Sequence, residues 1–97
     1  MKININSVKF KTDKKLEDFI HEKIGKLYAN YDNLMSADVT LRLENSSNQE
    51  NKIAEIRLNV PGNDLFAKKQ CKTFEEAIDL STDALKKQLA KNKEKTQ

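Results

Sequence analysis

Two short segments of strict alternation constrain the fold of this chain more than any other feature. In residues 37–44, Val39, Leu41 and Leu43 alternate with polar or charged residues, and residues 53–60 repeat the pattern. Successive side chains of a strand point to opposite faces of a sheet, so each segment has one apolar and one polar face. Such strands predict a sheet that is covered on one face and wet on the other.

Two amphipathic helices are predicted to cover that sheet. In the first, apolar residues recur at spacings of three and four, and Thr12 precedes them as the expected N-cap. This stripe consists of Leu16, Phe19, Ile20, Ile24, Leu27 and Tyr31. A second helix is predicted after Thr73, because Thr73 and Glu76 have the spacing of a capping box. Its predicted buried residues are Phe74, Ala77, Ile78, Leu85 and Leu89.

Two further strands complete the expected order β-α-β-β-β-α. Residues 2–10 predict a strand with an irregularity near Asn6–Ser7, where the apolar residues change phase. Residues 65–72 predict an edge strand, because Lys69 falls on its core phase. The right-handed crossover rule makes the first two strands parallel. The sequence therefore predicts an α/β (α+β) two-layer sandwich, in which a four-stranded sheet has both helices on one face.

Length sets the domain count. A chain of 97 residues has enough apolar surface for one core. We therefore expect a single domain over residues 1–92, followed by a basic C-terminal tail over residues 93–97. No apolar run approaches the roughly 18 residues of a membrane span, and the N-terminus enters a strand pattern without the apolar stretch of a signal peptide. The expected location is the cytoplasm.

Positive charge is concentrated near the C-terminus. The chain has a net charge of +3, yet residues 86–97 contain five lysines and one glutamate, so the other 85 residues carry −1. Four carboxylates at the start of the same helix complement the helix dipole: Glu75, Glu76, Asp79 and Asp83. The lysines exceed what a helix end needs, and such a cluster favours polyanions, nucleic acid first. A solvated tail is the alternative that charge alone leaves open.

The first helix adds a smaller basic group. Lys15 and Lys26 lie on one flank, with Lys23 nearer the buried boundary. Side by side, the two helices are expected to form one basic surface, which Lys68, Lys69 and Lys72 would extend. Lysines of this kind bind phosphates without reading base sequence.

Catalytic signals are weak. Cys71 and His21 are the only cysteine and histidine, which excludes a disulfide framework and a metal set of recognisable spacing. Cys71 falls on a core phase, so a buried structural thiol is the favoured interpretation. We expect no enzyme, no cofactor, no metal, no membrane partner and no small-molecule substrate.

The two helices resemble those of a known family. The first contains Leu16-x-x-Phe19-Ile20-x-x-Lys23-x-x-Lys26-Leu27-x-x-x-Tyr31. The second contains Ala77-Ile78-Asp79 and then Leu85-x-Lys87-Gln88-Leu89-x-Lys91-x-Lys93-x-Lys95. With the element order, this is similar to the ribosome hibernation promoting factors and ribosome-associated inhibitor A. Ala84 and Glu75 depart from the family, which often has lysine and tyrosine there. The chain ends at Gln97, so the short hibernation-factor form fits best.

The resemblance implies a fold of the double-stranded-RNA-binding type and a role in translation. It implies docking on the small ribosomal subunit over the channel of messenger RNA and of A- and P-site tRNA, which keeps idle ribosomes inactive in stationary phase or under stress. The expected partners are that subunit and the whole ribosome, with the free protein a monomer. The implied contacts to rRNA phosphates are Lys23, Lys26, Lys87, Lys91, Lys93 and Lys95. Further expected contacts are Lys15, Lys68, Lys69 and Lys86.

Two other functions remain open at this point. A generic double-stranded RNA-binding module shares the predicted fold, but its lysine cluster lies at the start of the last helix, where this chain has carboxylates. A small protein-interaction domain would use the exposed sheet face. The charges expected there, Arg42, Glu55 and Arg57, are typical of ordinary cross-strand pairs.

Overall fold

The computed structural model of the protein describes residues 2–44 and 49–95, with side chains through Lys91. Its six elements follow the predicted order β-α-β-β-β-α. They are β1 (Lys2–Val8), α1 (Lys14–Asn30), β2 (Ser36–Leu43), β3 (Lys52–Val60), β4 (Asn63–Cys71) and α2 (Phe74–Lys95). Helix α2 continues through Lys95, so the predicted tail at residues 93–97 begins inside that helix. The Ser-, Asn- and Gln-rich composition of residues 45–51 predicts a hairpin loop, and residues 45–48 of that segment lie outside the described residues.

The four strands form one sheet in the order β1-β2-β3-β4. β1 is parallel to β2, and the other neighbours are antiparallel. The register places four small or apolar residues in one row across the sheet: Ile5, Val39, Ile56 and Ala67. A slip of one residue would turn the apolar side chains of a strand to water, so the alternation itself specifies this register. The predicted edge position of β4 is confirmed.

Both helices cover the same face of the sheet, as predicted. The core formed there contains Leu16, Ile20, Ile24 and Leu27 of α1 together with Ala77, Ile78, Leu85 and Leu89 of α2. The inward residues of β2 and β3, such as Leu41 and Ile56, are fully buried against them. On the opposite face Arg57 is exposed, and Arg42 and Glu55 are half-buried.

Ile53 is an exception to the division of the sheet into a dry and a wet face. It is fully buried, although its phase places it on the face away from the helices and outside the main core. Its register neighbours are Arg42 and Gln70. The side-chain amide of Gln70 donates a hydrogen bond of 2.6 Å to the backbone carbonyl of Glu50. One end of the open face is therefore locally closed to water.

The start of α1 differs from the prediction by one residue. Asp13, not Thr12, is the N-cap, and its carboxylate accepts a hydrogen bond of 2.8 Å from the Leu16 amide. The Thr12 hydroxyl instead donates to the Glu17 carboxylate. Both residue types can cap a helix, so their sequence alone does not choose between them. At α2 the predicted cap is confirmed, because Thr73 Oγ1 accepts a hydrogen bond of 3.1 Å from the Glu76 amide.

The irregularity predicted near Asn6–Ser7 is wrong. β1 pairs with β2 in continuous register through Val8, which lies opposite Arg42 on the open face. The chain then turns at Lys9, whose φ is +71°. Phe10 lies beyond the strand, and its ring stacks on that of Phe74 with 4.7 Å between centroids. The change of apolar phase therefore marks the end of the strand and the start of a helix-side contact.

Candidate nucleic-acid interface

The two helices run in the same direction over the sheet. Near the end of α1, the Tyr28 hydroxyl donates a hydrogen bond of 3.2 Å to the Lys2 carbonyl at the start of β1. In the second half of α2, the Gln88 side-chain amide donates one of 3.0 Å to the Phe66 carbonyl, which lies in the first half of β4. β1 and β4 begin at the same end of the sheet, as the register row shows: Lys2, Ser36, Asn59 and Asp64. Both helices therefore end at that end of the molecule.

An ion pair joins the helices midway along α1. Lys23 Nζ lies 2.8 Å from Asp79 Oδ1, and the same ammonium lies 5.5 Å from the centroid of the Phe19 ring. The hydrogen bond to Asp79 raises the pKa of Lys23, with smaller contributions from the neighbouring carboxylates and against the opposing effect of burial. The Lys23 side chain is 27% exposed, so one of the predicted phosphate contacts already has a carboxylate partner.

The same ion pair shows where the lysines of α2 lie relative to α1. Lys86 follows Asp79 by seven residues, and Asn30, the last residue of α1, follows Lys23 by seven. Both advances amount to about 10 Å along a helix. Lys86 is thus near the level of the end of α1, and the later lysines of α2 lie beyond it.

Three described lysines of α2 are distributed around its exposed surface. At about 100° per residue, Lys86 lies roughly 20° from Asp79, on the side of α1. Lys87 lies roughly 80° from Asp79, on the outer surface, and Lys91 roughly 120° away, toward the side on which Gln88 contacts β4. All three are exposed. The backbone at Lys93 and Lys95 is helical, and their side chains lie outside the described residues.

Of the lysines of α1, Lys26 lies nearest to this group. It stands four residues before the end of the helix, its side chain is 61% exposed, and its ammonium lies 3.9 Å from Glu22. Such an exposed pair is weak, so the ammonium is available to another anion. We call Lys26, Lys86, Lys87 and Lys91 the cationic end.

The other predicted contacts do not join the cationic end. Lys15 is the second residue of α1 and lies at the opposite end of the molecule. Lys68 lies on the open face of the sheet, opposite Glu55 in the register, so it does not extend the helix surface. Lys69 is exposed on the edge strand and shares the phase of Leu65 and Ala67. The single continuous surface expected from the sequence is therefore reduced to one end of the helix layer.

The start of α2 is acidic. Glu75, Glu76, Asp79 and Asp83 are exposed there. Sequence reasoning assigned these carboxylates to the helix dipole and missed the contact of Asp79 with Lys23. One signal for it was present: both residues lie beside the buried stripe of their helices, and two helices on one sheet face bring such positions together.

The single cysteine and the single histidine of the chain lie on different elements and differ in burial. Cys71 is buried in β4, and burial raises the pKa of its thiol. His21 is exposed on α1. Over the described ranges, no group of three or more histidine, cysteine, aspartate and glutamate side chains is suited to hold a metal ion. Neither helix, over its described residues, has the length and apolar character of a membrane span.

Sequence comparison finds relatives along the whole chain. A family model described as "Sigma 54 modulation protein / S30EA ribosomal protein" matches residues 3–97. The ribosome hibernation promoting factor of Pseudomonas putida is 28% identical over 97 residues, which cover 100% of this chain and 91% of that protein. The factor of the same name from Azotobacter vinelandii is 32% identical over 95 residues, covering 98% and 85%. The promotion factor of Bacillus subtilis is 31% identical, but the match covers only 50% of that protein.

Solved structures share the fold. A ribosomal subunit interface protein from Coxiella burnetii superposes with a TM-score of 0.84 at 19% identity, covering 96% of this chain and 98% of that one. The N-terminal domain of Thermus thermophilus Protein Y gives a TM-score of 0.79 at 23% identity, covering 92% and 96%. Together with the strand order and the placement of both helices, these matches confirm the predicted two-layer α+β architecture.

Proposed function

The chain belongs to the family of sigma 54 modulation proteins and S30EA ribosomal proteins, and on that premise we propose that it acts as a ribosome-associated hibernation factor. Its relatives in Pseudomonas putida and Azotobacter vinelandii are named for that role. In this proposal the protein binds the small ribosomal subunit in the cytoplasm, over the channel of messenger RNA and of A- and P-site tRNA. It inactivates idle ribosomes by occupying that channel, without catalysis.

The cationic end is the observation that supports this proposal. Lys86, Lys87 and Lys91 are exposed on one to two turns of α2, and Lys26 adds a fourth ammonium from α1. Phosphate contacts from such side chains dominate the affinity of proteins for nucleic acids and do not depend on base sequence. In the proposed complex these four lysines contact rRNA phosphates, and Lys93 and Lys95 continue the series along the same helix.

The acidic start of α2 favours a docked orientation over general binding to duplex RNA. Glu75 and Glu76 are exposed at the position where a generic double-stranded RNA-binding module would present lysines. Carboxylates there repel phosphate, whereas the cationic end attracts it. The helix layer is therefore suited to place one end against RNA and to keep the other away from it. This polarity supports a specific ribosomal site.

The proposal is tested by binding to purified bacterial small ribosomal subunits. The combined substitution Lys87→Glu and Lys91→Glu is expected to weaken binding at least about tenfold and to relieve inhibition of in-vitro translation, because each change places a negative charge against phosphate. For the parent, the logarithm of the affinity should fall by roughly 0.7–0.9 per logarithmic unit of salt for each phosphate neutralised.

A matched control separates the site from overall charge. Lys11→Glu with Lys72→Glu makes the same change in net charge at two exposed positions, which lie just before α1 and just before α2, at the other end of the molecule. This variant is expected to bind like the parent. Equal weakening by both double variants, or binding of the parent to free duplex RNA as tight as to the subunit, would overturn the proposal. Competition by P-site tRNA tests whether the protein binds over the tRNA channel. If P-site tRNA does not compete, the protein binds elsewhere on the subunit.

A further inference from the structure

Lys23 differs from the lysines of the cationic end in its surroundings. Its ammonium is held 2.8 Å from the Asp79 carboxylate and lies over the Phe19 ring. Its side chain is 27% exposed, whereas that of Lys26, one turn later on the same helix, is 61% exposed. A phosphate bound to Lys23 would lie against the Asp79 carboxylate and be repelled by it. The geometry therefore opposes the phosphate contact that the sequence pattern suggests.

We propose that Lys23 and Asp79 are a positioning pair, which holds α1 and α2 in step so that Lys26 and the lysines of α2 contact the RNA together. The inference rests on the proposed function and assigns Lys23 a different task within it. Lys23 contacts no RNA in this scheme. Its partner is the second helix, and its effect on binding passes through the other lysines.

The position of the pair along the helices explains what it fixes. Asp79 lies seven residues before Lys86, and Lys23 lies three residues before Lys26. The pair therefore stands roughly 10 Å from Lys86 and 5 Å from Lys26 along the helix axes. A shift of α1 by one residue against α2 would change the offset of Lys26 from Lys86 along the helix axes by about 1.5 Å. Phosphates have fixed spacings in folded RNA, so such a change lengthens the contacts that the two helices make at the same time and weakens each of them.

The inference reverses the expectation for one substitution. If the carboxylates of α2 only complemented its dipole, Asp79→Asn would remove a repulsive charge and leave binding unchanged or tighter. If Lys23 contacted phosphate, the same change would free its ammonium and also tighten binding. With a positioning pair, Asp79→Asn breaks the interhelical ion pair and is expected to weaken subunit binding by roughly two- to fivefold, the effect of one partly exposed ion pair.

Glu75→Gln is the matched control. Like Asp79→Asn, it removes one negative charge from an exposed side chain in the first half of α2. The described contacts of Lys23 do not include Glu75. Its binding is expected to equal or exceed that of the parent. The charge exchange Lys23→Asp with Asp79→Lys restores an ion pair between the helices and is expected to recover most of the affinity lost in Asp79→Asn. Each variant is compared at equal fractions folded. Asp79→Asn is expected to fold like the parent, because the Asp79 side chain is 52% exposed and asparagine is nearly isosteric with aspartate.

The salt dependence supplies a readout that a loss of stability would not move. In Lys23→Gln, the slope of affinity against salt is expected to stay that of the parent, because no phosphate contact is lost. A slope reduced by roughly 0.7–0.9 would show that Lys23 neutralises a phosphate and would overturn the positioning role. The positioning role would also be overturned if the parent bound the subunit and the Asp79→Asn variant bound it equally tightly. A parent that does not bind the subunit would overturn the proposed function and this inference with it.

Discussion

The open face of the sheet and the α2 lysines of the cationic end both present exposed charges, but among the described residues only the open face contains ion pairs that balance them. On the open face, Arg42 Nε lies 3.3 Å from Glu55 and Arg57 lies 3.7 Å from Asp64. At the cationic end, the three α2 lysines have no acidic side chain within ion-pair distance among the described residues. Under the proposed function, the local balance of charges therefore distinguishes the interface from the open face better than the number of charges does.

On the open face, the exposed ring of Phe66 is partly covered by a neighbouring side chain. Phe66 is 45% exposed, and the Arg57 guanidinium lies over its ring at 5.7 Å from the centroid. Asn4 donates a hydrogen bond of 2.8 Å to Asp38 on the neighbouring strand. Contacts of this kind are the ordinary cross-strand pairs of a solvated sheet face. The comparison assigns stability to the sheet, and under the proposed function the end of the helix layer is the part that contacts RNA.

The largest effect that tests this division is a substitution on the covered face. Leu41 is fully buried and Arg42, the next residue, faces the open side. Leu41→Ala is expected to lower the free energy of unfolding by roughly 2–5 kcal/mol, because it leaves a cavity in the core. Arg42→Ala is expected to cost less than about 1 kcal/mol. Urea unfolding of both variants measures the difference, and equal costs would contradict the two-faced description of the sheet.

Much of the fold could be predicted because its signals are local. The alternation around Val39 and Ile56 contains both the strand character and the register, since a slip would expose every apolar side chain of the strand. The spacing of Leu16, Ile20 and Ile24 likewise contains the helix and its buried face. These patterns need no knowledge of which element comes next to which.

The sequence-based predictions were incomplete mainly where a feature depends on contacts between residues of different elements. Thr12 and Asp13 are both good N-cap residues. Asp13 is the cap because α1 begins at Lys14. The pairing of Lys23 with Asp79 depends on the tertiary arrangement of the two helices, so its signal in the sequence was only that both residues lie beside the buried stripe of their helix. The face of Lys68 was available from the alternation of β4, which places it opposite to Leu65 and Ala67.

A middle-sized effect is expected at Cys71, on the covered face of the edge strand. The thiol is buried, and its raised pKa keeps it protonated near neutral pH, so it has the packing role of a small apolar group. Cys71→Ala is expected to lower the free energy of unfolding by about 1 kcal/mol and to leave subunit binding unchanged. A folded Cys71→Ala that no longer bound the subunit would give this residue a functional role.

The smallest effect is expected for the ion pair between Arg57 and Asp64 on the open face. Both side chains are about half exposed, so water and salt screen the attraction. A double-mutant cycle of Arg57→Ala and Asp64→Ala is expected to give a coupling free energy of roughly 0.2–1 kcal/mol, which disappears near 1 M salt. Neither variant should change the affinity for small ribosomal subunits, since Arg57 is already occupied by Asp64 and Phe66. Weakened binding by Arg57→Ala alone, on the scale of Lys87→Glu with Lys91→Glu, would make the open face part of the interface. Local balance of charge would then fail to distinguish the two regions.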